Sequence, residues 1–427
     1  MKLQEFIDIF DERVNYFRRF NLPESVDIYF RCMRNYYLRA MTAKEEGKPL
    51  AWVSIMCPME IFHAMDIVPF AVDPYAISIS AFAYFKKEDC VYFDIGDSYG
   101  YPADACSPHR AAIGLAASNT LPEPDLIYGT ASMPCDSAVA VFDVLSDMKK
   151  VPTYFANFEY RYHPNSVQYL KTEFQGLIAF LEEHTGRKMD KERLRETLKI
   201  SIKANRAMME IHQLRKKRPC PLRARDAFNS FGMRLAGEGM PETLDFFEAQ
   251  LREVRGRVER GEGVLPEEHL RLVASGPYPF FAMEILDWVQ DKYGAIFVAD
   301  MFNCAPWEDM DENDPADPVE LLARKWLSFF GMELLYGPAE NTIDYLIDSI
   351  KESQVDGSIF FTHFGCKQTC GLQKIYRDKI MEELGLPTLF VDMDISDPKV
   401  VSVDQMKAKI HEYIEMIEKK KGQPVAA

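Results

Sequence analysis

The sequence has no C-x-x-C pair, no long uninterrupted apolar run and no basic excess. Without C-x-x-C, zinc ribbons, thioredoxin-like redox sites and ferredoxin-type cluster runs are disfavoured. The most apolar window, Ile67 to Phe85, is cut by Pro69, Asp73, Pro74 and several serines. A membrane span needs ~20 largely unbroken apolar residues, so this stretch reads as core. Acids at Glu5, Asp8, Asp11 and Glu12 argue against a secretory signal at the start. With 50 Lys+Arg against 66 Asp+Glu, the net charge is −16. Such a surface repels free nucleic acid and acidic membranes, so neither is expected as a partner.

What remains is an ordinary globular composition, 47% hydrophobic and 27% charged, over 427 residues. That length carries two or three units of ~150 residues. Nine cysteines in a chain read as unexported argue for a reducing, cytoplasmic compartment. There they are thiols or metal ligands.

The first forty-odd residues read as helix, with Phe6, Ile7, Phe10, Val14 and Phe17 at three- and four-residue steps. After Pro49, strand-length apolar runs alternate with helical patterns. The runs are Ala51–Met56, Ile67–Val72, Leu126–Thr130 and Thr153–Asn157; the helices are Pro58–Met65, Pro108–Ala117 and Ser137–Lys149. From Pro164 to Val264 only helical texture remains, as in Lys191–Lys217 and Leu244–Arg260. Strands return at Leu270–Ser275, Ala295–Asp300, Ser358–His363 and Thr388–Asp392. Helices intervene at Phe281–Lys292, Pro318–Leu335, Thr342–Ser353 and Gly371–Leu384, and Val403–Lys419 closes the chain before a polar tail, 420–427. The pattern predicts an α/β fold of two doubly wound parallel sheets, Rossmann- or flavodoxin-like. Its units are a helical segment (1–48), a first α/β domain (49–163), a helical insert (164–264) and a second α/β domain (265–427).

Cys106, Cys135 and Cys366 each stand in a loop leading into a helix, the last two directly after a strand. In open α/β sheets, ligands bind at the carboxyl ends of the strands. A thiolate there also feels the positive end of a helix dipole. Three such thiolates from two domains suggest an iron–sulfur cluster in the cleft between them, with one iron lacking a cysteine. Cys370, one helical turn after Cys366, is a candidate fourth ligand. Buried free thiols are the competing reading. Cys32 and Cys57 read as structural, Cys90 and Cys220 lie in connectors, and Cys304 follows a strand toward the cleft.

These residues carry a family likeness. The markers are Pro58-Met59-Glu60, Asp104-Ala105-Cys106-Ser107 and Met133-Pro134-Cys135-Asp136. They continue with Gly261-Glu262-Gly263-Val264-Leu265-Pro266, His363-Phe364-Gly365-Cys366-Lys367-Gln368, and Leu386-Pro387 leading to Val391-Asp392-Met393-Asp394. In this order they resemble the larger subunit of the benzoyl-CoA reductase and 2-hydroxyacyl-CoA dehydratase family, from about Ala51 to Glu418. The resemblance implies a [4Fe-4S] cluster held by Cys106, Cys135 and Cys366. It also implies a smaller homologous subunit with its own cluster, and an ATP-hydrolysing iron–sulfur activator that supplies an electron.

In the dehydratases of that family, the thioester carbonyl of an acyl-CoA meets the open iron and takes up one electron. The resulting ketyl radical anion expels the α-hydroxyl, loses an acidified β-proton and returns the electron as enoyl-CoA leaves. The family pattern makes Glu60 a proton-handling group. Ser54, one residue from the position the pattern would give, would hydrogen-bond substrate or water. Glu60 as a plain helix-start acid after Pro58 is the alternative.

His109, Arg110 and His363 are candidates for contacts to cluster sulfur or substrate, against a solvated helix start for the first two. The basic run Arg215-Lys216-Lys217-Arg218 with Arg223 and Arg225 could meet coenzyme A phosphates or be an exposed helix end. Phe70, Tyr75, Phe82, Tyr84 and Phe85 could line an acyl pocket or belong to the core. Four functions compete: a dehydratase subunit, an aromatic acyl-CoA reductase subunit, a double-cubane relative and a non-catalytic accessory protein.

Overall fold

The computed structural model describes residues 3–20, 22–161, 163–301, 309–328 and 337–422. Cys304, the 329–335 part of the helix expected over 318–335, and the tail from 423 lie outside them. The N-terminal helix is two helices, α1 (Leu3–Phe20) and α2 (Glu24–Thr42). Pro23 sits at the N-cap of α2, where its fixed φ and its clash with the preceding residue end one helix and start the next. The stripe Phe6, Ile7, Phe10 and Val14 is buried as its spacing requires.

The first sheet is built from β1 (Leu50–Val53), α3 (Met59–Ala64), β2 (Val68–Ala71), α4 (Val72–Phe85), α5 (Tyr92–Ser98), α6 (Ser107–Ala117), β3 (Leu126–Thr130), α7 (Asp136–Lys149) and β4 (Thr153–Ala156). All pairings are parallel, in the order β2-β1-β3-β4. β1, β2 and β3 are buried throughout, which explains their unbroken apolar sequence. The sequence pattern did not foretell α4 and α5. Pro74 hides α4, yet it falls in the first helical turn, where its missing amide costs nothing.

Four helices follow without a strand: α8 (Ser166–Thr185), α9 (Lys191–Arg215), α10 (Ala224–Gly237) and α11 (Pro241–Arg260). The second sheet then uses β5 (Leu270–Ser275), a short 3₁₀ turn (Phe280–Ala282), α12 (Glu284–Tyr293), β6 (Ala295–Asp300), α13 (Pro318–Leu327), α14 (Ala339–Ser353), β7 (Gly357–His363), α15 (Lys367–Leu384), β8 (Thr388–Met393) and α16 (Val403–Lys421). It is again parallel, in the matching order β6-β5-β7-β8. The helices between the sheets touch both: α8 packs on β4, and α9 and α10 reach β6. Arg215, fully buried at the end of α9, ties this layer to β6 through Asp300 Oδ2 at 2.6 Å and the Phe297 carbonyl at 2.8 Å.

The start of α6 is held by an unusually close crossing with α5. A Cβ at Gly114 would come within 2.0 Å of the Tyr92 carbonyl, and one at Gly96 within 2.1 Å of the Arg110 carbonyl. Backbone faces backbone, so neither neighbour can swing away. Gly114→Ala is therefore expected to cost about 1–3 kcal/mol of overpacking strain, read as a lower urea midpoint.

Two histidines in this framework, the half-buried His63 and the buried His212, are held neutral. Burial pushes His63 on α3 down to about 3, and burial with nearby Lys216 and Arg215 does the same to His212 on α9. Below about pH 6.5 the unfolded chain protonates both while the folded chain does not, so each contributes a loss of stability as pH falls. The urea midpoint is expected to drop from pH 6.5 toward 4. Replacing both by Phe should flatten that slope, by up to about 1.4 kcal/mol per pH unit for each ring removed.

Candidate active site

Cys106, Cys135 and Cys366 are the N-cap residues of α6, α7 and α15. Cys135 follows β3 and Cys366 follows β7, which hold the same place in the two strand orders. The carboxyl edges of the sheets meet here through a band of polar contacts. Ser107 Oγ donates to Asp394 Oδ1, Lys367 Nζ donates to Asp104 Oδ2 at 2.9 Å, and Arg110 lies 3.7 Å from Asp397. Gly365 permits the approach: a Cβ there would meet the Ala105 carbonyl at 2.9 Å and the His363 ring at 2.8 Å.

The thiols feel one another. Burial pushes Cys106 well above the usual thiol range, and the charges of Cys135 and Cys366 add to this. Burial and Cys366 push Cys135 up to about 12. The neighbouring bases are engaged elsewhere, Arg110 with Asp97 at 2.7 Å and Lys367 with Asp104. Three thiols at three helix N-termini are a donor set that a metal–sulfur group takes up as thiolates, its positive charge offsetting theirs. Among the described residues, no three His, Cys, Asp or Glu side chains stand close enough to hold a single metal ion. The eight described cysteines are all free thiols; Cys106, Cys135, Cys366 and Cys370 are half-buried, the other four buried. Cys370 Sγ donates to the His363 carbonyl at 3.3 Å, and of the three thiols only Cys366 influences it.

Around the thiols lies a polar shell that the sequence only partly revealed. His109, 5% exposed, is not at a solvated helix start. Its Nδ1 lies 2.8 Å from Ser137 Oγ and its Nε2 3.9 Å from Asp73, and burial and His363 push it down to about 4. Burial raises Asp73 to about 7. His363 is likewise neutral, lowered to about 3 by burial, with Nε2 3.4 Å from Cys106 Sγ. Asp73 had no sequence signal as a site residue and Asp394 stood only at the end of a family marker; their places at the start of α4 and just after β8 bring them here.

Glu60 and Ser54 lie outside this shell of polar contacts. Glu60 is fully buried, and its Oε1 accepts from Lys325 Nζ at 2.8 Å and Ser201 Oγ at 3.0 Å. Lys325 also donates to Glu238, whose other neighbour is Arg234 at 3.6 Å. This four-charge network escapes sequence reading because its members lie on three separate helices and the loop after α10. Ser54 directly follows β1, its amide donating to the Tyr128 carbonyl, and it is fully buried. Among the described residues Ser54 Oγ and Glu60 Oε2 have no hydrogen-bond partner, so two buried oxygens remain to be satisfied. No hydrogen bond or ion pair joins Glu60 to the thiols among the described residues. The Cys57 thiol is raised first by burial and then by Glu60, Glu238 and Asp73.

Two other candidates are corrected. The basic run is not a free phosphate-binding face: Arg215 is buried against Asp300, Lys216 pairs with Glu352 at 2.5 Å, and Arg223 and Arg225 pair with Asp291 and Asp287. Of the aromatic set, Phe70 and Tyr75 are core, and Tyr84 stacks edge-on against Phe281. Phe82 does line a cavity of about 300 Å³ between α1, α2, α4 and α10, and Phe85 lines the space outside it.

Comparison with known proteins decides the lineage. Residues 54–417 match the family described as 2-hydroxyglutaryl-CoA dehydratase, D-component. The chain belongs to that family. It is 25% identical to the (R)-2-hydroxyisocaproyl-CoA dehydratase alpha subunit of Clostridioides difficile, over 90% of this chain and 94% of that protein. It is 22% identical to the (R)-phenyllactyl-CoA dehydratase alpha subunit of Clostridium sporogenes, over 90% and 93%. It is also 25% identical to a benzoyl-CoA reductase subunit of Thauera aromatica, over 90% and 93%. The sequence resemblance to the larger subunits of this family therefore holds. None of the described helices is long and apolar enough to cross a membrane.

Proposed function

We propose that this chain is the alpha-type subunit of a cytoplasmic 2-hydroxyacyl-CoA dehydratase, which removes water from a 2-hydroxyacyl-CoA to give an enoyl-CoA through a ketyl radical of the thioester. The convergence of three thiols at the facing carboxyl edges of two sheets carries this reading. Cys106, Cys135 and Cys366 would hold a [4Fe-4S] cluster in that cleft, and such a group supplies the single electron that no side chain can. The matching strand orders fit two doubly wound domains, with boundaries at 49–163 and 265–427, flanked by the helical 1–48 and 164–264.

The chain's own residues do the rest. Glu60, fixed through Oε1 by Lys325 and Ser201, presents its unpartnered Oε2 as the proton-handling atom near the leaving hydroxyl. Ser54 Oγ, also unpartnered, offers a hydrogen bond to substrate. The buried, neutral His109 and His363 keep charge and bulk water away from the thiols. A smaller homologous subunit completes the enzyme, and an ATP-hydrolysing iron–sulfur activator delivers the electron. The alpha-subunit names of two relatives support a heteromeric assembly.

A second reading, an ATP-dependent aromatic acyl-CoA reductase subunit, is favoured by the equal 25% identity to the Thauera aromatica reductase protein. Anaerobic co-expression with the smaller subunit, followed by iron and sulfide counting and acyl-CoA turnover, separates the two. Dehydration of a 2-hydroxyacyl-CoA without net electron consumption is the expected result. Stoichiometric reduction of an aromatic acyl-CoA selects the reductase, and purified protein free of iron rejects both.

A further inference from the structure

His363 closes β7, three residues before Cys366, and its ring turns across the sheet junction toward the other α/β unit. Its Nε2 stands 3.4 Å from the sulfur of Cys106, a residue from the first unit. Which ring nitrogen carries the proton is decided on the far side of the ring. There the backbone N–H of Ile395 reaches Nδ1 at 3.3 Å. An amide N–H can only donate, so Nδ1 presents its lone pair and the ring's N–H is Nε2. The proton is thus aimed at sulfur.

The arrangement is built rather than incidental. The loop carrying the Ile395 amide is pinned by Asp394, whose Oδ1 accepts from Ser107 Oγ, from the Ser396 amide at 2.8 Å and from the Asp397 amide at 2.7 Å. Asp394 Oδ2 lies 3.5 Å from Nδ1 but makes no hydrogen bond to it, so the Ile395 amide alone sets that edge of the ring among the described residues. Gly365 leaves space that any side chain would fill, since a Cβ there would fall 2.8 Å from ring atoms. The ring itself is 1% exposed, so water does not compete for either nitrogen.

We propose that His363 is a positioning residue that donates its Nε2–H to the Cys106 sulfur and thereby raises the reduction potential of the group held by the three cysteines. The inference rests on the cluster reading above and goes beyond it, because it assigns a task to one side chain that binds neither iron nor substrate. The physical reason is charge. Adding an electron makes the sulfur ligands more negative, and a fixed N–H aimed at one of them stabilises that state more than the oxidised one. In a water-poor site the effect is large, because no solvent dipole can substitute.

The test uses the full chain reconstituted anaerobically with iron and sulfide, and reads the midpoint potential by dye-mediated titration followed by electron paramagnetic resonance. H363F removes the donor and keeps a flat ring; H363Q places an amide N–H near the position of Nε2. The expected result is a more negative midpoint in H363F at unchanged iron content, with H363Q restored toward wild type. Loss of iron from H363F alone, with H363Q like wild type, supports the same donor role. An unchanged or raised midpoint in H363F, or iron lost from H363Q as well, overturns it, since the ring would then serve packing alone. A wild-type chain that takes up no iron overturns the cluster reading itself, a result distinct from any difference among the variants.

Discussion

Cys135→Ala, purified without oxygen, should lose iron and acyl-CoA turnover together, falling from about four irons per chain toward none. The argument is electrostatic as much as geometric. Cys135 caps α7, and its thiol, raised to about 12 by burial and Cys366, gives up its proton only in exchange for a bond to metal. Two remaining thiols, one from each sheet, cannot retain a cluster across the junction. Cys106→Ala and Cys366→Ala should behave alike. Two controls sharpen the result. Cys220, buried with Sγ on the Leu222 carbonyl, should be replaceable without iron loss. Cys370→Ala should also keep its iron, because that sulfur is committed to the His363 carbonyl. Full iron content in the Cys135 variant would reject the ligand assignment; iron lost from the Cys370 variant would make Cys370 a fourth ligand.

Lys325→Met should cost about 3–5 kcal/mol in urea unfolding, the largest stability effect expected outside the thiols. Lys325 is 3% exposed and donates to two carboxylates, the fully buried Glu60 and the largely buried Glu238. Removing its charge leaves two buried acids facing Arg234 alone. Adding Glu60→Gln to that variant should recover part of the loss, because one of the stranded charges goes with it. The single Glu60→Gln variant should keep its iron while turnover drops roughly 10²–10⁴-fold, the range for a positioned proton-transfer group. A Glu60 variant with wild-type turnover would reduce that carboxylate to a partner of Lys325.

The periodicity that foretold the sheets did so for a physical reason. Strands covered on both faces must be apolar at successive positions, so β3, β5 and β6 could be read residue for residue from the sequence. Where packing overrides local pattern, reading failed. The split of α1 from α2, the helix α4 behind Pro74 and the short α5 were invisible or misplaced. The buried pairing of Arg215 with Asp300 likewise turned an apparently exposed basic run into a structural tie.

The sequence by itself determined the alternation of strand and helix, the position of three cysteines before three helices, and the family to which the chain belongs. Those are local properties, set by side-chain period, turn chemistry and the residues beside each strand end. Only the tertiary structure decided that the thiols converge, that His363 from one sheet meets Cys106 from the other, and that Glu60 is held by Lys325, 265 positions away. Such contacts arise where the carboxyl edges of two sheets are brought face to face, and no spacing along the chain encodes them.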